Sequence, residues 1–274
     1  MDMNRRALLS AFAALPLTAC AGMPAMPGLG SHPYKKIGLQ LYTVRDAFTA
    51  DPEGTLAKVR ALGYDEVEFI NFGGKTPADF KQMVANAGLS GPSGHVSLAD
   101  LRDHADSLFA DMAAAGASYA ILAWLPEEVR NNWQAMATEM NGYGATARAH
   151  GLKFGYHNHN FEFVPTADGQ IPYEILVANT DPSVVCFEMD CYWVSFAGHD
   201  PMDILNRHGE RIRQLHLKDK TATGDMAPVG QGIIDFPAIL KKAKSVGVEH
   251  VYVEHDNPTD PFASIAASIK SLKG

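Results

Sequence analysis

The chain has 274 residues, 46% of them apolar, and its formal net charge is −8. This length and apolar content are enough for one large buried core. The acidic charge provides no basic surface, which argues against a nucleic-acid-binding protein and against direct binding to anionic membranes.

The N-terminal 35 residues differ from the rest of the chain. Residues 1–20 combine paired arginines with a short apolar run that ends at Cys20. The run is well below the roughly 20 residues that a spanning helix needs, so it predicts an export signal. Its LTAC end resembles the lipobox of bacterial lipoproteins, and the arginines resemble a twin-arginine signal, with a plain secretory signal as the alternative. Residues 21–35 are rich in Gly and Pro and predict a tether to a domain at 36–274.

The predicted location is therefore the periplasm or the bacterial envelope. Contact with a membrane is expected only through a lipid attached to Cys20.

From residue 36 onward, short apolar strands alternate with longer amphipathic helices. Asp51, Pro52 and Gly63 illustrate the helix signals, because they supply a cap, a first-turn proline and a stop. Strands are predicted at 36–44, 66–72, 89–96, 118–124, 152–156, 184–190, 212–218 and 251–256. Helices are predicted at 51–62, 76–87, 98–115, 127–150, 173–179, 201–208, 236–246 and 261–272.

This alternation is typical of parallel βαβ units. Eight units over about 240 residues favour a closed (β/α)₈ barrel over an open doubly wound sheet. The first turn, LYTVRDAFT, also lacks the Gly-rich loop that a dinucleotide-binding open sheet would need. We therefore predict the α/β class and a single TIM barrel.

Polar side chains follow nearly every predicted strand. The C-terminal ends of the strands carry the active site in barrels of this kind. The residues found there are Gln40, Tyr42, Glu68, Asn71, His95, Trp124, His157, His159, Asp190, His216, Lys218 and Glu254. A purely structural barrel has no reason to place so many ionisable groups at one rim, so we predict a functional site.

Four of these residues could hold a metal ion if the strand ends converge. They are His157, Asp190, His216 and Glu254. Mixed nitrogen and oxygen ligands suit Mn²⁺, Zn²⁺, Co²⁺ or Fe²⁺ better than Mg²⁺ or Ca²⁺. Such an ion could polarise a carbonyl while a proton leaves the neighbouring carbon.

Each of these residues also has a structural alternative. Asp190 could cap the following turn, and His216 could be a hydrogen-bonded core imidazole. Lys218 lies on the same strand face as His216, so it could contact a substrate or remain a solvated lysine.

The stretch from Ile37 to the C-terminus resembles the sugar phosphate isomerase/epimerase family, the xylose isomerase-like TIM barrels. The resemblance rests on GLQLYTVRD, YHNHNFEF, EMDCYWV, QLHLKD with PVGQGIIDF, and VYVEHD. It implies a divalent metal held by Glu, Asp, His and Glu, with the two glutamates moving a proton between adjacent carbons of a ketose or inosose. By motif, Asp190, His216 and Glu254 match the last three ligands. His157 stands where the first glutamate is expected.

The resemblance implies a metal-dependent sugar isomerase or epimerase, here exported, with a carbohydrate substrate. The histidine at position 157 leaves His157 or His159 as the second base beside Glu254, with Glu162 as a substitute carboxylate. The residues expected to contact substrate are Gln40, Tyr42, Glu68, His95, Trp124, Glu162, Trp193 and Lys218.

Three alternatives to an isomerase remain open. They are a 3-keto-glycoside lyase with the same metal site, a catalytically inactive sugar-binding barrel, and an endonuclease, which the acidic charge disfavours. A homodimer is also left open, because dimers are common among such barrels.

Overall fold

The computed structural model describes residues 32–274. The predicted export signal and most of the predicted tether lie outside the described residues. Tyr34, at the end of that tether, is buried, and its hydroxyl donates to the carbonyl of Val248 at 3.1 Å. The folded domain therefore begins before Lys36. No helix within 32–274 is long and apolar enough to cross a membrane.

The described residues form the predicted barrel, closed by eight parallel strands. The barrel strands are β1 (Gly38–Gln40), β2 (Glu66–Phe69), β3 (Ser90–Val96), β4 (Tyr119–Leu122), β5 (Lys153–His157), β6 (Val185–Asp190), β7 (Ile212–Leu217) and β10 (His250–Val253). Their order around the barrel follows the chain, and β10 pairs with β1 to close it. Two short strands, β8 (Asp219–Lys220) and β9 (Met226–Ala227), form an antiparallel ribbon after β7.

Helices surround the barrel and connect its strands. They are α1 (Arg45–Ala50), α2 (Pro52–Leu62), α3 (Pro77–Asn86), α4 (Leu98–Ala114), α5 (Trp133–Ala149), α6 (Pro172–Asn179), α7 (Cys191–Phe196), α8 (Pro201–His208), α9 (Phe236–Val246) and α10 (Pro261–Lys273). The α2 signals act as predicted, because Asp51 accepts from the amide of Gly54 at 2.9 Å and Gly63 ends the helix at φ 107°.

The structure differs from the predicted bounds chiefly at the rim. The predicted strand 36–44 stops at Gln40, whose side chain accepts from the Tyr42 amide at 3.0 Å and begins a 3-10 turn. The predicted helix 127–150 is a 3-10 turn at Glu127–Val129 followed by α5, which Asn132 caps. Helices α1 and α7 were not predicted, because each starts almost where a strand ends.

The interior of the barrel contains both apolar and polar side chains. Tyr252 packs so close to Gly38 that a Cβ atom there would lie 2.2 Å from the ring. Glu68, Ser93 and Gln214 are fully buried. Buried polar groups need hydrogen-bond or ionic partners, and here these partners come from adjacent strands and from strands across the bore.

Candidate metal centre and active site

The four predicted ligands converge at the C-terminal end of the barrel. His157, Asp190, His216 and Glu254 each offer a ligand atom, and these atoms all lie within 4.8 Å of one another. Asp190 and His216 are register partners on adjacent strands β6 and β7, which places their side chains side by side. All four side chains are buried. We call these four residues the rim group.

Two pairs of side chains within the rim group are in direct contact. His216 Nδ1 lies 2.8 Å from Glu254 Oε2, and His157 Nε2 lies 3.4 Å from Asp190 Oδ2. Asp190 also caps α7, because its Oδ1 accepts from the amide of Trp193 at 2.9 Å. The capping role and a ligand role are compatible, since they use different oxygens.

One ring nitrogen of the rim group, the buried His157 Nε2, makes no hydrogen bond to another described residue. Asp190 Oδ2 lies 3.4 Å from it and is in contact with Lys218 Nζ at 3.0 Å. The other ring nitrogen of His157 lies 3.3 Å from the carbonyl of Ala123, which favours a proton on Nδ1 and leaves Nε2 free. Unpartnered buried polar atoms are costly, so two imidazoles and two carboxylates in this arrangement fit a transition-metal ion.

A second polar layer lies behind the rim group. Its members are Glu68, His95 and Glu188, and we call it the inner layer. His216 joins the two sets, because its Nε2 lies 2.7 Å from Glu68 Oε2 and 3.2 Å from Glu188 Oε2. A carboxylate that accepts from one nitrogen of a histidine orients the other nitrogen toward a metal. Glu68 thus supports the position of His216.

The inner layer is tightly connected. His95 Nε2 lies 2.9 Å from Glu188 Oε2 and 3.1 Å from Glu68 Oε2, and Gln40 donates to Glu68 at 2.7 Å. The inner layer and His216 also place four ligand atoms within 4.8 Å of one another. Glu188 was missed by sequence reasoning, although it lies two residues before Asp190 and therefore on the same strand face.

The inner layer carries alternating charges. Burial would raise the pKa of Glu68, but the positive charges of His95 and His216 outweigh it and hold that pKa well below its usual value. Burial works in the opposite direction on His95, and the carboxylates of Glu68 and Glu188 overcome it and raise the pKa to about 10. Mutual ion pairing, more than burial, therefore sets the charges here.

Lys218 is a buried member of the site. Its Nζ lies 2.7 Å from Glu254 Oε2, 2.7 Å from Asp256 Oδ1 and 3.0 Å from Asp190 Oδ2. The alternative of a solvated lysine is wrong, because Lys218 is only 1% exposed. Burial opposes its charge, but the three carboxylates outweigh burial and hold its pKa well above its usual value.

A cavity of about 640 Å³ opens onto the rim group. The predicted site residues that border it are Tyr42, His95, Trp124, His157, His159, Lys218 and Glu254. Burial lowers the pKa of His159 well below its usual value, and the neighbouring His157 and Lys218 lower it further, so His159 is uncharged. Its Nδ1 is buried without a partner among the described residues.

Other predicted substrate contacts lie behind the cavity wall. Glu162 is fully buried and accepts from the Tyr156 hydroxyl and, at 2.9 Å, from the His159 amide. It holds the loop that presents His159, so its position does not support the predicted roles of substrate contact and substitute carboxylate. Gln40 and Glu68 are likewise fully buried, and Trp193 lies with its ring centroid 5.4 Å from Lys218 Nζ.

The QLHLKD and VGQGIIDF motifs meet through Asp219. Its carboxylate accepts from the amides of Gly230 at 2.9 Å, Gly232 at 2.9 Å and Ile234 at 3.2 Å. A Cβ atom at Gly232 would lie 2.2 Å from Asp219 Oδ1, so only glycine fits there. The hydrogen bonds of Asp219 therefore hold the two motifs together beside Lys218.

Comparison with known proteins supports the fold and places similar enzymes in a family of sugar-processing barrels. A sequence profile of the family described as "Xylose isomerase-like TIM barrel" matches residues 56–274. The crystal structure of a sugar phosphate isomerase/epimerase from Parabacteroides distasonis has a TM-score of 0.76 and 30% identity, covering 86% of this chain and 96% of that one. A second structure of that name, from the same organism, has a TM-score of 0.75 and 26% identity, covering 92% and 99%.

Curated relatives match over a shorter part of the chain. The inosose dehydratase of Clostridium beijerinckii is 31% identical over 127 residues, which are 40% of this chain and 42% of that protein. The match thus spans less than half the length of this relative.

Proposed function

Because the chain belongs to the xylose isomerase-like TIM barrel family, we propose that it is a metal-dependent lyase acting on a keto-sugar or a related cyclic ketone. In this reaction a proton leaves the carbon beside the carbonyl, and an oxygen substituent leaves the next carbon. The observation that carries the proposal is His159, an uncharged imidazole that borders the cavity beside Glu254. A symmetric pair of carboxylates, which an epimerase of this family would use, is not formed by these residues.

The rim group provides the metal site in this proposal. His157, Asp190, His216 and Glu254 would hold the ion, with Zn²⁺, Mn²⁺, Co²⁺ or Fe²⁺ as the candidates. When bound, a divalent ion acts as a Lewis acid toward the substrate carbonyl.

Three side chains that border the cavity have complementary charges. The positive charges of Lys218 and His216 outweigh burial and hold the pKa of Glu254 well below its usual value, so Glu254 is an anion at neutral pH. His159 is uncharged and can accept a proton. Lys218 is a cation and can stabilise negative charge that develops on a substrate oxygen.

An elimination can use His159 for both proton transfers. The C–H bond breaks as His159 takes the proton, the C–O bond of the leaving group breaks, and a C=C bond forms between the two carbons. His159 then gives the proton to the departing oxygen, which leaves as water or an alcohol. An imidazole with a lowered pKa releases a proton readily, and this step returns the enzyme to its starting charge.

The curated relatives are consistent with this class, because proteins named inosose dehydratase are similar to this chain over about two fifths of its length. The second candidate is a sugar isomerase or epimerase with the same metal site. Its support is the structural similarity to the Parabacteroides protein, which extends over 86% of this chain.

Solvent isotope labelling separates the two candidates. We expect the Mn²⁺- or Zn²⁺-loaded protein, incubated in D₂O with an inosose or with methyl 3-keto-glucoside, to release water or methanol and form an unsaturated ketone. An isomerase would instead place deuterium beside the carbonyl without breaking a C–O bond. The His159→Asn and Glu254→Gln variants should both lose elimination. Release by a variant at the wild-type rate would remove that residue from the proposed chemistry.

We also propose that the protein is exported and anchored by a lipid on Cys20. Formation of a homodimer is a separate prediction. Mass spectrometry of the mature protein should show a lipidated N-terminal cysteine at position 20. A Cys20→Ala variant provides the control. A mature protein that retains residues 1–19 would contradict the proposal.

A further inference from the structure

Lysine side chains surround the point where the described chain enters the barrel. This point lies at the N-terminal ends of the strands, because Lys36 precedes β1 and the Tyr34 hydroxyl donates to the carbonyl of Val248, which precedes β10. Three further lysines come from the last turns of α9 and α10, which end at the same side of the barrel. We call the exposed lysines of this region the basic face: Lys35, Lys36, Lys244, Lys270 and Lys273.

Contacts to the entering chain bring these lysines together. Lys244 Nζ lies 5.1 Å from the centroid of the Tyr34 ring. Lys273 Nζ lies 2.8 Å from Asp65 Oδ2, and the same oxygen accepts from the amide of Ile37 at 3.3 Å. The positive charges of α9 and α10 therefore flank those of the segment that leads into β1.

Much of this charge is not neutralised by the domain. Lys36 and Lys273 pair with Glu66 and Asp65 at 3.0 and 2.8 Å, but the two lysine side chains are 63% and 38% exposed, and exposed pairs are weak. The other three lysines have no carboxylate oxygen within 4.0 Å among residues 32–274. Basic side chains complement the dipole at a helix C-terminus, which accounts for the lysines of α9 and α10 but not for Lys35 and Lys36.

The acidic groups that cap the helices lie at the opposite end of the barrel, because these helices begin after the strands end. They belong to Asp51, Asp190, Asp200, Asp235 and Asp260. The 17 residues of α5 span about 25 Å between the two ends, whereas the Debye length at physiological ionic strength is about 8 Å. A surface that touches the basic face is therefore screened from those carboxylates, and the net charge of −8 does not exclude an anionic partner.

We propose that the basic face docks on the surface of an anionic lipid bilayer. Clusters of lysines next to a membrane attachment point bind anionic lipids electrostatically. All five residues are lysines, which lack the bidentate geometry that arginine offers to nucleic acids, and this favours lipid headgroups. In the anchored protein, at most about 40 Å of chain joins Cys20 to His32, so the lipid would keep this face near the bilayer. The rim group then faces away from the membrane.

Vesicle co-sedimentation tests the basic face without a metal, a substrate or an attached lipid. The protein is the chain from residue 21 onward, which contains every strand of the closed barrel. We expect it to bind vesicles of equal parts phosphatidylcholine and phosphatidylglycerol, to leave pure phosphatidylcholine vesicles unbound, and to be released at about 0.5 M NaCl. The Lys35→Gln/Lys244→Gln variant should partition about 10- to 30-fold more weakly, because it loses two of the attracting charges.

Lys58→Gln/Lys75→Gln is the matched control, since it removes two exposed lysines outside the basic face. Lys58 Nζ lies 5.2 Å from the centroid of the Phe262 ring, so it repeats the aromatic contact of Lys244. This variant should partition like the wild type. Circular dichroism checks that both variants fold.

The outcomes separate this inference from the lyase function and from the lipid on Cys20. No binding to the anionic vesicles, or equal partitioning of Lys35→Gln/Lys244→Gln and the wild type, would overturn it even if elimination is observed and Cys20 carries a lipid. Lysine-dependent binding to duplex DNA without binding to vesicles would also overturn it, because the partner would then be a nucleic acid. Binding to anionic vesicles that requires Lys35 and Lys244 would support it even if the protein has no lyase activity.

Discussion

Replacing Lys218 by methionine removes a buried ammonium that contacts the carboxylates of Asp190, Glu254 and Asp256. Breaking a buried ion pair from one side typically costs about 3–5 kcal/mol, because the remaining charge is left uncompensated. For a domain of this size, each kcal/mol lowers Tm by about 2–4 °C. We therefore expect Lys218→Met to melt about 6–20 °C below the wild type in EDTA.

The pH of the measurement follows from the raised pKa of Lys218. A basic group whose pKa is raised by folding stabilises fully below its unfolded pKa, and the stabilisation is lost only as pH rises through the folded value. At pH 7 the ammonium therefore contributes in full. Differential scanning calorimetry at pH 7, in EDTA and then with Mn²⁺ or Zn²⁺, measures the effect. The ion should raise Tm more in the variant than in the wild type, because it supplies the missing positive charge.

Lys153→Met is the matched control. Lys153 Nζ lies 2.7 Å from Glu249 Oε1, but the lysine side chain is 53% exposed. An exposed pair of this kind contributes about 0–1 kcal/mol, so Tm should change by only a few degrees. If Lys218→Met melts within about 2 °C of the wild type in EDTA, the carboxylates do not depend on the ammonium, and the assignment of Lys218 to the charge balance of the site is refuted.

Further substitutions test the supporting residues. Burial raises the pKa of Glu162 to about 7. Its contribution to stability is therefore present below its usual pKa and is lost as the pH rises through about 7. Glu162→Gln should unfold at a higher urea concentration than the wild type at pH 8 and lose that advantage at pH 5. Glu68→Gln should weaken metal binding about 10–100-fold in chelator competition, because His216 loses an anionic partner, and unchanged affinity would contradict that support. Asp219→Ala should lower the free energy of unfolding by at least about 2 kcal/mol in urea titration, since the amides of Gly230 and its neighbours lose their acceptor. A smaller loss would mean that water replaces the carboxylate.

The barrel could be predicted because its signals are local. Alternating apolar runs and helix caps such as Asp51 depend on near neighbours in the chain, and the structure keeps them. The convergence of His157, Asp190, His216 and Glu254 followed from barrel closure, since strand ends meet at one rim.

The supporting residues could not be predicted in the same way. The sequence predicts that Glu162 is a carboxylate in a loop. Its burial depends on a 3-10 turn that brings it into contact with the amide of His159. The sequence alone is consistent with an exposed lysine at position 218, and the burial of Lys218 depends on Asp256. Asp256 follows β10, which begins at His250, 32 residues after Lys218. Glu188 is the exception, because its period-two spacing from Asp190 on β6 places both side chains on the same strand face.

The buried polar contacts also bear on how the barrel opens. Glu68 on β2 accepts from Gln40 on β1 and from Ser93 on β3, and Ser93 Oγ lies 3.0 Å from Gln214 Oε1 on β7, across the bore. Separating any one of these strands breaks contacts on several others. We therefore expect the backbone amides of β2 and β7 to exchange their hydrogens only when the whole domain unfolds. Substrate entry would then depend on movements of the loops after the strands, whose amides should exchange much faster.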